Sequence, residues 1–234
     1  MKIDVLAIGA HPDDIELTCA GTLMVCMSMG AKAGILDCTA GEMGTRGSAK
    51  IRLREAARSA KILGLDFREN LHLTDGYLKV SDDAVEKVVN VIRKIKPRII
   101  ITFYERDHHP DHVACSKIVA RAHWLSGVPR YLPGVESHRA KALVHFAGKN
   151  VYQPSFAVDV SGFFKMRMKA IKCFKSQLYN PKSREPDTTI SNPQFLEWIE
   201  ARARYWGSLI GTTYAEPFYF PQILPVKNPL MLWN

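Results

Sequence analysis

Short apolar runs, each followed by a segment with helical periodicity, constrain this chain more than any other feature. Ile3-Asp4-Val5-Leu6-Ala7-Ile8 is a nearly continuous apolar run, as expected of a strand covered on both faces. Residues 14–29 are long enough for a helix, and Gly30 supplies a stop. Residues 33–38 read as a second strand, and residues 39–48, with three glycines, as a loop. Leu53, Ala56, Ala57, Ala60 and Leu63 recur at helical spacing and end at Gly64. Residues 67–73 predict a third strand. Val85, Val88, Val89, Ile92 and Ile95 predict a helix stopped by Pro97, residues 98–104 a fourth strand, and residues 110–124 another helix. Strand and helix in alternation imply an α/β chain: a Rossmann-like three-layer fold, with a mostly parallel sheet and helices on both faces.

The second half is less regular. Residues 141–146 and 156–160 read as strands, and Phe164, Met168, Ile171, Phe174 and Leu178 as one helix. Residues 180–193 contain three prolines and read as a loop. A last helix is expected over 193–206. No repeat or linker interrupts the chain, so residues 1–234 are expected to form one domain.

Composition narrows the function. Hydrophobic residues at 47% and charged residues at 24% exclude disorder, collagen and coiled coil as the main state. The net charge of +9 favours anionic partners. Seven basic residues fall in 46–68 and seven more in 165–184, but no finger, basic zipper or RNP signature accompanies them, so nucleic acid is not the expected partner. None of the five cysteines forms a C-x-x-C pair, which argues against a zinc ribbon or disulfide scaffold and for a reducing, cytoplasmic compartment. Residues 17–31 are uncharged but follow Asp13, Asp14 and Glu16, and are too few to span a bilayer. No membrane association is expected.

Open parallel sheets bind ligands beyond the carboxyl ends of their strands. After the first predicted strand comes Gly9-Ala10-His11-Pro12-Asp13-Asp14, and after the fourth Asp107-His108-His109-Pro110-Asp111-His112. G-x-G-x-x-G is absent, with a bulky His11 where a pyrophosphate needs bare backbone, and Asp37 at the end of the second strand is not enough alone. Neither a G-x-x-x-x-G-K-[ST] loop nor a G-x-S-x-G elbow occurs. Metal chemistry remains. His11 and Asp14 are three apart at a strand-to-helix turn, and His109 and His112 three apart at a helix start that tolerates Pro110. Two imidazoles and one carboxylate from these clusters make a three-ligand shell with a fourth position open, the pattern of a catalytic zinc; Fe(II) or Co(II) suits the same donors. Any one of these residues alone is more often structural; the two clusters together are not.

His11-Pro12-Asp13-Asp14 and His109-Pro110-Asp111-His112 resemble the two signature motifs of the LmbE-like (PIG-L) zinc-dependent N-acetylglucosamine deacetylases. Arg52-Leu53-Arg54-Glu55-Ala56, Thr74-Asp75-Gly76 and Tyr214-Ala215-Glu216-Pro217-Phe218 extend the resemblance over most of the chain. Arg130-Tyr131 and His138-Arg139 extend it to the bacillithiol-biosynthesis branch, which acts on N-acetylglucosaminyl-malate. The resemblance implies that His11, Asp14 and His112 bind Zn(2+) and that Asp13 is the general base. It also implies that His109, braced by Asp111 and best as imidazolium, stabilises the oxyanion, and that Arg52 contacts substrate hydroxyls. His108 departs from the pattern, because the nearest relatives tend to carry Arg there. Asp75 is expected at the same sheet edge as Arg52, and Arg46, Arg130 and Arg139 are candidates for an anionic substrate group. The implied partner is a small anionic amino-sugar conjugate, and the implied assembly a homo-oligomer such as a hexamer. Rival readings are the same reaction on an inositol conjugate, a chitin disaccharide or a thiol conjugate, a cysteine hydrolase using Cys115, and a nucleic-acid binder.

Overall fold

The structure is a computed structural model and describes residues 2–149, 153–224, 226 and 228. Most of the tail beyond residue 224 therefore lies outside the described residues. Five strands, β1 (Val5–Gly9), β2 (Ala33–Thr39), β3 (Phe67–Leu73), β4 (Ile99–Phe103) and β5 (Ala142–Phe146), form a parallel sheet in the order β3-β2-β1-β4-β5. The helices between them are α1 (Asp14–Thr18), α2 (Ala20–Ser28), α3 (Ala49–Leu63), α4 (Asp82–Ile95) and α5 (Pro110–Ser126). A two-stranded antiparallel sheet follows, β6 (Phe156–Asp159) with β7 (Ala215–Phe218), together with α6 (Phe164–Ile171) and α7 (Phe195–Leu209).

The chain runs outward from β1 to β2 and β3, then returns across the sheet to β4 and β5. Right-handed crossovers put α2 and α3 on one face and α4 and α5 on the other. The contacts agree: α4 packs on α5, and α3 on α6. β1 and β2 are buried at every position, so both read as apolar runs rather than alternations. Ser48 and Ser81 accept backbone N–H bonds at the starts of α3 and α4, and Gly64 closes α3 in the left-handed region. No helix among the described residues is long and apolar enough to cross a membrane.

Two helices differ from the sequence expectation. The single helix over 14–29 is broken at Cys19 (φ −140°, ψ 13°) into α1 and α2. The cause is remote: the buried Glu216 carboxylate on β7 accepts the Gly21 and Thr22 N–H groups at 2.9 and 2.7 Å and so starts a new helix. The helix expected to reach Leu178 stops at Ile171. Beyond it, Ser176 donates its N–H and hydroxyl to Glu55, and Gln177 donates to the Arg46 carbonyl, bonds that a continuing helix does not supply.

The sheet order reverses at β1, which lies between β2 and β4. The loops after β1 and β4 therefore meet over the carboxyl edge of the sheet, where open α/β sheets place their ligands.

Candidate metal centre

His11-Pro12-Asp13-Asp14 forms a tight turn between β1 and α1. The His11 N–H donates to Asp14 Oδ2 at 2.7 Å, which aims both side chains the same way. Asp13 sits at φ 124°, a region that L residues rarely adopt and that costs on the order of 1–3 kcal/mol. Arg52 holds the turn from α3, donating to the Pro12 carbonyl at 2.9 Å and to the Gly41 carbonyl at 3.4 Å. Gly41 must be glycine here: its φ is +67°, and a Cβ would lie 2.0 Å from Arg52 Nη1.

From the other loop, His109 caps α5, with Pro110 in the first turn. One turn later His112 lies flat on Phe103, with ring centroids 3.9 Å apart and planes 15° apart. Its Nε2 lies 3.4 Å from Asp14 Oδ1, and His11 Nδ1 lies 3.5 Å from Asp14 Oδ2. One ligand atom each from His11, Asp14 and His112 lies within 4.8 Å of the others. These residues fit a zinc-type cation, being two imidazoles and a carboxylate that line an open cavity. The outward nitrogens are also engaged: His11 Nε2–H donates to Asp75 Oδ1 at 2.9 Å and His112 Nδ1–H to Asp107 Oδ1 at 3.1 Å, the carboxylate support that metal-binding imidazoles require.

His11, His109 and Asp111 form a second grouping of the same dimensions. It is the poorer site. His109 Nδ1 accepts the Asp111 N–H at 3.2 Å, so the neutral ring carries its hydrogen on Nε2 and has no lone pair left for a cation.

Without a cation, protons neutralise the centre. Burial disfavours a charged His112, but Asp14 and Asp107 outweigh it and push its pKa up to about 9. His11 is likewise raised against burial by Asp111, Asp14 and Asp75. Asp14 is held well below the usual carboxylate range, burial being overcome by His112 and His11. Asp13 goes the other way. Burial, only partly offset by Arg52 and reinforced by Asp14, pushes it up to about 7. Its Oδ2 has no hydrogen-bond partner, although Arg52 Nη2 comes within 3.2 Å.

Several expectations change. The Asp111 carboxylate does not brace His109: Oδ2 accepts the Gly76 N–H at 2.7 Å and lies 3.5 Å from His11 Nε2. Burial, with His112 and His11 adding to it, lowers the pKa of His109 and favours the neutral ring rather than imidazolium. Asp75 lines the cavity, but its oxygens serve His11 and the Met43 N–H. Arg52 also lines it, with both Nη atoms committed to the protein. Arg139 is at the wrong end of the sheet. It precedes β5, stacks over Trp124 at 4.1 Å and donates to the Trp124 carbonyl. Neither Arg46 nor Arg130 lines the cavity. Cys115 is fully buried with its sulfur 3.7 Å from that of Cys38, away from the cavity, which removes the cysteine-hydrolase reading. Within the basic stretch over 46–68, Arg46 and Arg52 are buried and Arg68 pairs internally with Glu16 and Asp37.

The cavity measures about 380 Å³. Sequence reasoning missed its far wall, where α7 contributes Phe195, Trp198, Ile199 and Arg202, and the loop after β5 contributes Lys149. Lys149 and Arg202 bring positive charge to that wall of the cavity.

Residues 6–123 match the family described as PIG-L, GlcNAc-PI de-N-acetylase. The chain belongs to the PIG-L family. It is 27% identical over 231 residues to the diacetylchitobiose deacetylase of Thermococcus kodakarensis, covering 92% of this chain and 82% of that protein. It is 28% identical to a probable N-acetyl-α-D-glucosaminyl L-malate deacetylase 2 of Bacillus cereus, covering 76% of this chain and 84% of the relative. Among solved structures, the conserved protein TT1542 of Thermus thermophilus superposes with a TM-score of 0.88 at 36% identity, covering 99% of both chains. Both signature turns fall inside the span that matches the PIG-L family.

Proposed function

We propose that this protein is a zinc-dependent hydrolase that removes the acetyl group from the amine of an N-acetylglucosaminyl conjugate in the cytoplasm, with N-acetylglucosaminyl-malate as substrate. One observation carries the reading: His11, Asp14 and His112 converge beside a buried carboxylate, Asp13, whose Oδ2 is left without a hydrogen-bond partner. A cation held by the three ligands supplies Lewis acidity, which lowers the pKa of water from 15.7 toward about 7.

The remaining chemistry belongs to the chain. The Asp13 carboxylate, which lines the cavity, takes the proton from the attacking water as the C–O bond forms. It then passes that proton to the nitrogen as the C–N bond breaks, giving acetate and a free amine. Burial raises the Asp13 pKa from the ordinary carboxylate range, the direction that suits a group that must both accept and return a proton. Arg52 keeps Asp13 in its strained backbone state through the Pro12 carbonyl. His109 presents Nε2–H to the developing oxyanion, its tautomer fixed by the Asp111 N–H. Phe195, Trp198 and Ile199 exclude water from one side.

Malate is favoured over a neutral second sugar by Lys149 and Arg202, which line the cavity. The five free cysteines accord with a reducing compartment. The test is metal analysis of the purified protein combined with free-amine release from N-acetylglucosaminyl-malate, N-acetylglucosaminyl-inositol and diacetylchitobiose, with and without chelator. The expected result is one zinc per chain, chelator-sensitive release and preference for the malate conjugate. Equal turnover of diacetylchitobiose overturns the substrate assignment, and full activity in metal-free protein overturns the chemistry.

A further inference from the structure

No step of the proposed reaction uses Asp107, yet its carboxylate accepts from both histidines of the second turn. Two donors converge on Oδ1, His112 Nδ1–H at 3.1 Å and the His109 backbone N–H at 2.9 Å, and His108 Nδ1 lies 3.1 Å away. The side chain is 2% exposed. Its other oxygen faces the loop after β5. A Cβ built on Gly148 would lie 2.6 Å from Asp107 Oδ2, closer than real Cβ atoms approach, so a glycine at 148 makes room for this carboxylate.

We infer that Asp107 is a positioning residue that fixes the ring flip and the tautomer of His112, so that a bare Nε2 faces the other metal ligands, and that Gly148 is the residue that admits it. Stacking on Phe103 fixes the plane of the His112 ring. It does not fix the rotation within that plane, because a ring flipped by 180° stacks equally well. The flip puts a carbon where each nitrogen stood, and only a polar partner tells the two orientations apart. Asp107 receives the Nδ1 hydrogen, which leaves the lone pair on Nε2, the atom 3.4 Å from Asp14 Oδ1. Asp75 does the same for His11 with the nitrogens exchanged, holding Nε2–H so that Nδ1 faces Asp14. The two imidazoles thus present opposite nitrogens to one carboxylate, each because a different aspartate stands behind it.

The inference rests on His112 being a metal ligand, so the test reads metal binding rather than turnover. Zinc affinity is measured by competition with a chromophoric chelator, and ligand geometry by the visible absorption of the Co(II)-loaded protein. Asp107→Ala is expected to weaken binding about 10–100-fold and to alter the cobalt spectrum. Asp107→Asn keeps an acceptor oxygen for both His112 and the His109 N–H, and should restore most of the affinity. Gly148→Ala should weaken binding in the parent protein but have no further effect in the Asp107→Ala background, since the group it displaces is gone. Affinity within twofold of the parent in Asp107→Ala, with an unchanged cobalt spectrum, overturns the inference. So does a Gly148→Ala effect of equal size in both backgrounds. If the parent itself takes up no cation, the metal-centre reading falls and this inference with it; intact parent uptake with insensitive variants sinks the inference alone.

Discussion

Arg52 Nη2 stands 3.2 Å from Asp13 Oδ2 without making a hydrogen bond to it, while donating to the carbonyl of Pro12 one residue earlier. The guanidinium therefore holds the backbone of the proposed general base, and the buried Oδ2 beside it makes no hydrogen bond. Asp13→Asn should keep the bound metal and lose about 10²–10⁴-fold in kcat, because the amide cannot accept a proton from water. Metal content and kcat on the same preparation check this. Turnover near the parent value in Asp13→Asn would remove Asp13 from the role.

His109 is set up as a neutral donor. Its Nδ1 is taken by the Asp111 N–H, and burial lowers its pKa. His109→Ala should cost about 3–4 kcal/mol of transition-state stabilisation, appearing in kcat with KM little changed. The Asp111→Asn comparison is informative, because the tautomer of His109 depends on the backbone of Asp111 and not on its carboxylate. Asp111→Asn should leave the His109 ring as it is and act through His11 instead. A loss in kcat equal to that of His109→Ala, with metal affinity unchanged, would restore the carboxylate brace.

Metal uptake should expel protons. With no cation present, His112 is pushed up to about 9 and His11 is raised above its ordinary value. At neutral pH both rings are therefore protonated, and a cation binds only neutral imidazole. Each ring gives up a proton on binding, so apparent affinity rises with pH, and the share owed to His112 ends above about 9. Calorimetric titration with zinc at neutral pH, in buffers of different ionisation enthalpy, counts the protons released. A count of zero would mean that these imidazoles are not the ligands.

The alternation of strand and helix, and both signature turns, were legible because they depend on local periodicity and on spacings of three residues. The position of those turns followed from the rule about carboxyl ends of strands. The same rule argues against Arg139, which precedes a strand instead of following one. What stayed hidden depends on distant partners. Nothing near residue 19 announces the break between α1 and α2, because its cause is Glu216 on the last strand. Trp198 and Arg202 look like ordinary positions on a late helix until the chain closes over the cavity. Asp107 was visible in its cluster, but only the stacked ring of His112 gives it a task.

That hidden break is itself open to test. Glu216 accepts the first N–H groups of α2 and the Thr22 hydroxyl, and lies 3.2 Å from Arg167 Nε. Arg167 in turn donates to the carbonyls of Glu16 and Leu17 at the end of α1, at 3.0 and 2.6 Å. The anion thus serves a helix start and the cation a helix end, each matching the local dipole. Both side chains are buried, so neither can be removed alone without stranding the other. Glu216→Gln, which leaves Arg167 buried without its anion, should destabilise the fold by about 3–5 kcal/mol, read by urea unfolding. The double variant Arg167→Met with Glu216→Gln should lose less than the sum of the two single changes, because the stranded charge is then gone. Strict additivity would mean that the pair does not act as a unit, and that Gly21 and Thr22 alone hold Glu216 in place.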